Sequence, residues 1–445
     1  MPKETDDEGL EIDVDQAVDM ALDLLRKREL KAATGILETI VENAPDHAGA
    51  LNALGVARFH TEGPAAAASF LQQSILRIPD HAGMHNNLGN AYVEMGELQA
   101  AVDAYDRALS IDPALADAYC NLASLMKHAG NTPFAEKLLR KAVDIHPEFG
   151  LAHQNLAAIL LDDGRAREAI DHFWKATVHL PDKAVPAHFL ALAYWFAGLK
   201  DLAVDFVKKW ADANPDDPQA QHMRASMTGE RVPERASDLY VRRLFDAFAS
   251  SFDAKLESLD YKAPELVAEA FAAAVGEPSG KLVVLDAGCG TGRCGQYLKP
   301  FSSSLHGVDL SGRMLVLANK LGLYDDLVQG ELTAFLAGRP HAYDAIISAD
   351  TLCYFGRLEA FCEAAAGALR PGGVLVFTVE ALPQVAEEDF RLAVNGRYAH
   401  AERYVLDSLH ACDLVVADCS RVHLRNENME PVIGLLVTAA KRALN

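Results

Sequence analysis

The first half of the chain repeats itself every 34 residues. Prolines recur at this interval from Pro45 to Pro215, and a small residue follows a leucine in each of several units, as in Leu88-Gly89. Proline ends a helix, and small residues let two helices cross closely. The period therefore predicts stacked pairs of antiparallel helices, because one pair cannot bury its apolar face alone.

This pattern resembles six tetratricopeptide (TPR) repeats over about residues 14–217, which would form an all-α solenoid with a concave groove. Side-chain amides recur on the helices that line the groove, and units three and four resemble the repeats of O-GlcNAc transferases, where an asparagine ladder holds peptide. Amides both donate and accept hydrogen bonds. We expect the groove to bind a protein or peptide; alternatively, the amides bond neighbouring helices or water. The asparagines concerned are Asn52, Asn86, Asn87, Asn121 and Asn155.

A glycine-rich stretch dominates the second half. The apolar run from Leu282 to Leu285 predicts a buried strand, and Asp286 stands at its carboxyl end. Gly288, Gly290 and Gly292 then allow a tight turn and close approach to a ligand. The helix that follows would direct its amino terminus, with free N–H groups and a positive dipole, at that ligand.

A second acid indicates which kind of ligand this is. Asp309 ends the next strand, about 20 residues after the glycines, where doubly wound folds place an acid that bonds a ribose diol. The dinucleotide pattern would require Gly or Ala at position 293, and the chain has Arg293. The G-x-G-x-G spacing instead resembles motif I of class I S-adenosylmethionine (SAM) methyltransferases.

The resemblance implies a role for each matching residue. Motif I would hold the methionine part of SAM, the acid after strand two the ribose, and the loops after strands two and three the adenine ring and its amino group. In that order, the residues implied are Asp286, Gly288, Gly290 and Gly292; Asp309; Leu310, Glu331 and Leu332.

From Lys281 onward strands alternate with helices, as a parallel α/β fold requires. The last two strands should pair antiparallel, because the link between them is too short for a crossover helix. We therefore expect a doubly wound, seven-stranded, Rossmann-like methyltransferase sheet. The strands are predicted near 282–286, 304–309, 326–330, 343–348, 373–379, 412–421 and 432–439.

Two other segments point to the methyl acceptor. Phe245, Ala249, Phe252 and Asp253 match a pattern that small-molecule methyltransferases carry just before the core, where it caps the active site. The segment 380–404 follows strand five at the edge where open α/β sheets bind ligands. TPR units, this core and an R-Y-x-H-x-x-x-Y segment together look like a bacterial group of TPR-containing methyltransferases.

Candidate catalytic residues follow from their chemistry. His400 is the best base by residue type, since many acceptors must lose a proton. Tyr398 and Tyr404 would orient the acceptor, and Arg397 would hold a carboxylate or phosphate on it. Asp350, after strand four, stands where the family faces both SAM and substrate.

The sequence divides into five parts on this interpretation. An acidic, disordered terminus (1–13) precedes the six repeats (14–217), and a polar linker (218–238) follows them. Lid or cap helices (239–280) lead into the methyltransferase domain (281–445).

Composition excludes several classes of protein. With 63 acidic and 41 basic residues, the net charge of −22 argues against general nucleic-acid binding. Seven scattered cysteines without a C-x-x-C pair indicate free thiols in a reducing compartment. Neither a signal peptide nor a membrane span is expected, so we predict a cytoplasmic protein. The histidines lack metal-ligand spacing, so no metal is expected.

The sequence thus predicts a SAM-dependent methyltransferase that acts on a protein, peptide or small molecule, with TPR repeats that recruit a protein. A competing interpretation is a TPR scaffold whose methyltransferase-like domain senses SAM or is inactive. A third is an enzyme for a free metabolite, in which the repeats serve only to form a homo-oligomer.

Overall fold

A computed structural model describes residues 13–180, 186–249, 252–427 and 430–443. The acidic terminus that we expect to be disordered, residues 1–13, lies outside the described part except for residue 13. Contacts group the chain into two compact units. One contains residues 1–159 and 172–183, and the other contains residues 160–171 and 184–445.

Helices alone make up the described part of the repeat region. Each predicted unit contributes two helices of 10 to 14 residues, and a 34-residue period accommodates two such helices and their turns. They are α1 (Val14–Arg26), α2 (Leu30–Asn43), α3 (Ala48–Thr61), α4 (Pro64–Arg77), α5 (Ala82–Met95), α6 (Leu98–Ile111), α7 (Ala116–His128), α8 (Thr132–Ile145), α9 (Gly150–Asp162), α10 (Ala166–His179), α11 (Ala187–Phe196) and α12 (Lys200–Ala213).

The periodic small residues let paired helices cross closely. A Cβ atom on Gly55 of α3 would lie 2.8 Å from the side chain of Leu71 on α4. A Cβ atom on Gly89 of α5 would lie 2.6 Å from the ring of Tyr105 on α6. A larger residue at either site would force the helices apart, so the period marks helix crossings. The predicted TPR solenoid is confirmed.

The last repeat helices group with the second unit. The predicted linker contains an eleven-residue helix, α13 (Pro218–Thr228). His222 on α13 stacks on Tyr240, and its Nε2 lies 2.9 Å from the carbonyl oxygen of Gly396. Met223 and Met227 form an apolar cluster with α11, α12 and Val394. Contacts therefore join α11–α13 to the sheet-containing part, although the sequence pattern places α11 and α12 with the repeats.

Three helices lead from α13 to the sheet. They are α14 (Asp238–Phe248), α15 (Phe252–Ser258) and α16 (Ala263–Val275). Ser237 caps α14 by accepting a hydrogen bond from the backbone N–H of Tyr240. Pro264 stands in the first turn of α16, where its missing N–H costs nothing. The segment 239–280, predicted as lid or cap helices, contains most of α14 and all of α15 and α16.

The sheet contains nine described strands. They are β1 (Leu282–Ala287), β2 (Ser302–Asp309), β3 (Asp326–Gln329), β4 (Tyr343–Ser348), β5 (Leu369–Ala381), β6 (Phe390–Leu392), β7 (Tyr398–His400), β8 (Leu414–Glu427) and β9 (Glu430–Lys441). The main order is β3-β2-β1-β4-β5-β9-β8, parallel from β3 to β5, with β9 antiparallel to both neighbours.

The expected Rossmann-like fold and its terminal antiparallel pair are confirmed: all seven predicted strands are present, and the described sheet has two more. The two additional strands, β6 and β7, form a hairpin beside the carboxyl end of β5. Each has three residues, which is too short for an alternating pattern to be recognised in a sequence.

Helices cover both faces of the sheet. Val284 and Ile347 face a core that includes Val267 and Phe271 of α16. Their sequence neighbours Leu285 and Ile346 face the opposite core, as the two-residue period of a strand requires. The remaining helices are α17 (Gly295–Leu298), α18 (Gly312–Lys320), α19 (Leu332–Ala337), α20 (Glu359–Ala368) and α21 (Glu402–His410).

Candidate functional site

A cavity lies at the carboxyl ends of β1, β2 and β4. The loops that follow β1, β2 and β3 line one part, which we call the cofactor wall. Helices α14 to α16, the segment 349–355 after β4 and Arg397 line another part, which we call the acceptor wall. Open α/β sheets bind ligands at this edge, where the strand order reverses between β1 and β4.

The glycine loop after β1 requires its glycines for two different reasons. Gly288, Gly290 and Gly292 have φ values of +79°, +53° and +91°, a region that other residues rarely adopt. At Gly288, a Cβ atom would also lie 2.2 Å from Oγ1 of Thr351, so the β1 and β4 loops touch there. At Gly290, a Cβ atom would meet only Phe252, at 4.0 Å. Gly288 and Gly290 line the cavity, whereas Gly292 packs behind the loop.

Asp309 connects two loops of the cofactor wall. Its Oδ2 accepts a hydrogen bond from the N–H of Gly290 at 2.9 Å, and its Oδ1 accepts one from the N–H of Ser311 at 2.8 Å. Burial raises the pKa of this carboxyl group, and the two backbone donors oppose that rise. Asp309 and Leu310 both line the cavity.

Asp286 does not lie where its expected contact with the methionine part of SAM would require. It is buried beneath the glycine loop and does not line the cavity. Its Oδ2 accepts a hydrogen bond of 2.6 Å from the hydroxyl of Tyr324, and burial raises its pKa to about 7. The Tyr324 ring also packs against Gly292 and Gly295. Asp286 therefore supports the loop from behind, and no local sequence pattern identifies Tyr324 as its partner.

Glu331 and Leu332 close the cofactor wall after β3. Both line the cavity. Glu331 is the N-cap of α19, where its carboxylate accepts from the N–H groups of Thr333 at 2.9 Å and Ala334 at 2.7 Å. Helix capping by a carboxylate is a sufficient reason for an acid at this position. The cap also fixes this carboxylate at the cavity edge.

Two residues of the lid pattern, Phe245 and Phe252, line the cavity, and so does Leu256, four residues after Phe252. Asp253 accepts a hydrogen bond of 2.7 Å from Oγ1 of Thr291, and lies 3.5 Å from Arg293. This contact attaches α15 to the glycine loop, so the lid and the cofactor wall meet at a polar contact.

An ion-pair network supports the acceptor wall. Arg425 of β8, with only 1% of its side chain exposed, contacts both oxygens of Asp350 at 2.9 and 2.8 Å. It also pairs with Glu380 and with Glu427. Arg397 pairs with Glu427 from the other side. Two arginines thus face three carboxylates, and of these five residues only Asp350 and Arg397 line the cavity.

The network shifts the affinities of its acids for protons in opposite directions. Burial alone would raise the pKa of Glu427, but Arg397 and Arg425 outweigh it and lower the pKa to about 2. Burial raises the pKa of Glu380 despite the same two arginines.

Asp350 has a φ of +53°, an unfavourable value for a residue with a side chain. The bidentate contact with Arg425 compensates for that backbone strain.

The same acids form the one described group with metal-ligand geometry. Ligand atoms of Asp350, Cys353 and Glu380 all lie within 4.8 Å of one another. Arg425 already supplies a positive charge to both carboxylates. Burial also raises the pKa of the Cys353 thiol well above its usual value, which disfavours a thiolate ligand.

Three of the predicted catalytic residues lie away from the cavity. His400 is fully buried, with Nε2 3.0 Å from the carbonyl oxygen of Gly356, and burial lowers its pKa to about 4. The hydroxyl of Tyr398 donates to the carbonyl of Pro233 at 2.8 Å. The hydroxyl of Tyr404 accepts a hydrogen bond from the N–H of Leu358 and donates one to the carboxylate of Glu359.

The structure therefore corrects the catalytic assignment of these three residues. Tyr398 and His400 are two apart on β7, so their side chains share one face of that strand, and that face is buried. Arg397 precedes the strand and lines the cavity. Arg397, Tyr398 and His400 are neighbours in the sequence, but only Arg397 reaches the cavity.

The asparagines of the repeats bond one another. Nδ2 of Asn87 donates to Oδ1 of Asn52 at 3.1 Å, and Nδ2 of Asn121 donates to Oδ1 of Asn86 at 2.9 Å. Asn155 reaches Ser124 at 3.5 Å in the same way. Each contact joins helices of successive repeats, which is the alternative that the sequence left open. Every amide nevertheless retains hydrogen-bonding capacity beyond the one contact.

No helix in the described ranges is both long and apolar enough to cross a membrane.

Comparison with known proteins assigns both regions. Residues 285–377 match the family model of a methyltransferase domain. Residues 18–78 match a tetratricopeptide repeat model, and residues 79–130 match a TPR repeat model. The chain thus carries TPR repeats followed by a methyltransferase domain.

Individual relatives resemble only parts of the chain. Human methyltransferase-like protein 27 is 35% identical over 97 residues, which is 22% of this chain and 38% of that protein. Malonyl-[acyl-carrier protein] O-methyltransferase of Enterobacter lignolyticus is 30% identical over 122 residues, 27% of this chain and 48% of that protein. The chain thus spans less than half the length of these relatives. A SAM-dependent methyltransferase structure from Mesorhizobium loti aligns with a TM-score of 0.33 and 20% identity, over 39% of this chain and 96% of that one.

The cofactor wall fits SAM, the cofactor of this domain family. Gly290 leaves open space where a side chain would otherwise fill the cavity. Asp309 and Glu331 both bring carboxylates to this cavity. Arg293 stands where a dinucleotide fold requires a small residue, and it also lines the cavity.

Proposed function

We propose that this TPR-containing chain, with its SAM-dependent methyltransferase domain, methylates an acceptor bound against the acceptor wall. The TPR repeats would recruit the protein that is, or delivers, that acceptor. One observation carries the proposal: the glycine loop, Asp309 and the acceptor wall line a single cavity. A scaffold that only bound partners would not require a second, structured wall beside the cofactor wall.

The residues divide the work between two tasks. The glycine loop, Asp309, Leu310, Glu331 and Leu332 would hold SAM, which when bound supplies a methyl group already activated on a sulfonium. The protein then has mainly to align the acceptor with that methyl group, since orientation is a large part of catalysis. Asp350 and Arg397, fixed by Arg425 and Glu427, would orient the acceptor.

Recruitment is proposed for the groove of the repeats. TPR repeats are a common platform for protein binding, and solenoids present long concave surfaces. The asparagines that link successive repeats keep free donor or acceptor capacity for a peptide backbone. We infer that the partner is a protein or peptide that places its reactive group in the cavity.

Calorimetric titration with SAM tests the assignment of the cofactor wall. Asp309→Ala removes the acceptor of the Gly290 and Ser311 N–H groups, so we expect an affinity loss of about tenfold or more. Asp326→Ala is the matched control, because Asp326 is an exposed acid at the start of β3 and does not line the cavity. NADH should not bind either variant or the parent protein.

The outcome is interpreted with thermal melts of all three proteins. Equal SAM affinity in the parent and in a folded Asp309→Ala variant would contradict the role of Asp309. Absence of SAM binding by the parent would contradict the proposed activity as a whole.

A further inference from the structure

The chemistry of the acceptor wall narrows the class of acceptor, if the proposed function holds. Much of this wall is apolar. Val241 and Phe245 of α14, Phe252 and Leu256 of α15, and Phe355 line it. Apolar, aromatic surface of this kind stabilises an apolar ligand body by excluding water. The acceptor should therefore carry a hydrocarbon or aromatic portion.

Among the cavity-lining residues that the structure describes, no histidine or lysine is present to take a proton from the acceptor. Burial raises the pKa of the thiols of Cys289 and Cys294 well above their usual value. Burial likewise raises the pKa of the phenols of Tyr261 and Tyr354. These four groups stay protonated.

The three carboxylates that line the cavity are already engaged. Asp309 accepts two backbone N–H groups, and Glu331 accepts two at the start of α19. Asp350 is held by both of its oxygens against Arg425. With their oxygens engaged by these donors, the three carboxylates are not placed to take a proton from the acceptor. The geometry therefore favours a nucleophile that reaches the site without a proton to lose.

Arg397 provides a partner for an anion. Its side chain is 25% exposed and lines the cavity. Nη1 is the nitrogen that contacts Glu427 and lies 3.5 Å from Glu380, and the side chain also hydrogen-bonds Tyr354. A guanidinium has five N–H donors in a planar fork that matches a carboxylate, so donors remain beyond these contacts.

We propose that the acceptor is a carboxylate on an apolar body, and that the product is its methyl ester. One carboxylate oxygen forms a bond to the methyl carbon as the carbon–sulfur bond breaks, and the electron pair of that bond stays on sulfur. The sulfonium becomes a neutral thioether, and no proton is taken up or released. The step thus needs only the alignment that this wall provides.

The main competitor is an amine acceptor. Three carboxylates stand behind or within the acceptor wall, and they would attract a cation. An amine, however, would have to lose its proton before the transfer, and the lining groups do not accept it. The two acceptor classes therefore make opposite predictions for charge-matched probes.

Calorimetry on the full chain saturated with S-adenosylhomocysteine separates these classes. The probes are 3-phenylpropionate, 3-phenylpropylamine and 3-phenyl-1-propanol, which share an apolar body and differ in the polar group. We expect 3-phenylpropionate to bind, and the amine and the alcohol to bind at least about tenfold more weakly. Arg397→Gln should lower the affinity for 3-phenylpropionate by about tenfold. Arg403→Gln, an exposed arginine paired with Asp389 in the same segment, should leave it unchanged.

Turnover with SAM gives an independent readout. Alkali should release the methyl group as methanol from the 3-phenylpropionate product, as it does from an ester but not from a methylamine or an ether. Tighter binding of the amine, or failure of 3-phenylpropionate to bind the saturated protein, would overturn the inference. Failure of S-adenosylhomocysteine itself to bind would instead overturn the proposed function, so the two failures are distinguishable.

Discussion

The two walls of the cavity are held in place by different forces. On the cofactor wall, backbone hydrogen bonds connect loops that directly follow parallel strands, such as the 2.9 Å bond from the N–H of Gly288 to the carbonyl of Val308. On the acceptor wall, charged side chains connect distant segments, such as Arg425 with Asp350, 75 residues apart in sequence. The first wall depends on backbone conformation and the second on buried charge.

This difference indicates how each wall should respond to change. Substitutions on the cofactor wall should act by steric collision or by straining a positive φ, and they should alter SAM binding with little effect on global stability. Substitutions in the ion-pair network should alter stability first, because they leave buried charges unpaired. The predictions below test this contrast, from the largest expected effect to the smallest.

Arg425→Met should cause the largest change in stability. It leaves Asp350 and Glu380 without their guanidinium, and loss of one partner of a buried ion pair typically costs about 3–5 kcal/mol. Urea denaturation measures this directly. Arg421→Met on the same strand is the control, since Arg421 is 27% exposed and should cost about 1 kcal/mol. Equal losses in the two variants would contradict the special role of the network.

Gly288→Ala should cause the largest change in SAM affinity. The new methyl group would collide with Thr351 at a φ of +79°, so the loop would have to move away from its binding position, and we expect SAM affinity to fall by up to about 100-fold. Gly322→Ala is a matched control, because Gly322 also has a positive φ, +64°, but has open space around it. Similar SAM affinities for the two variants by calorimetry would show that space at Gly288 is unimportant.

His400 should make stability depend on pH. In the unfolded chain its imidazole takes up a proton as the pH falls below 6.5, whereas the folded chain does so only near a pKa of about 4. The contribution is therefore lost as the pH falls through this window, by about 2 kcal/mol between pH 7 and pH 5. His400→Gln keeps a donor for Gly356 and should show a correspondingly smaller decline.

The free energy of unfolding of both proteins at the two pH values checks this. Equal declines would mean that His400 is not a buried neutral group. Methyl transfer should also survive in His400→Gln, since this side chain does not line the cavity.

Tyr398→Phe should have the smallest effect. It removes one hydrogen bond to the carbonyl of Pro233, worth about 1 kcal/mol, and leaves the cavity unchanged. The midpoint of urea denaturation should fall slightly, and SAM affinity should stay constant. A large loss of methyl transfer at unchanged stability would restore Tyr398 as a catalytic residue.

The same contrast explains what could be predicted from the sequence. The position of the glycine loop and Asp309 at the cavity could be predicted because these residues directly follow strands that the sequence pattern identifies. The repeats were found because their small residues recur at each helix crossing. Local geometry and periodicity are both preserved in a linear sequence.

The acceptor wall could not be predicted in this way. The network brings together Asp350, Glu380, Arg397 and Arg425 from four separate segments, and nothing local signals their pairing. The side of β7 on which His400 lies depends on a hairpin whose two strands have only three residues each. Tyr324 reaches Asp286 across 38 residues. Tertiary contacts of this kind determine which reactive residue types reach a cavity.

The most direct test of the account is one calorimetric comparison of SAM binding to the parent chain and to Arg397→Gln. If the two walls are independent, the variant should bind SAM with an affinity within about threefold of the parent, because a change below 1 kcal/mol is expected when no cofactor contact is lost. A loss as large as that expected for Gly288→Ala would contradict the division of this cavity into a cofactor wall and an acceptor wall.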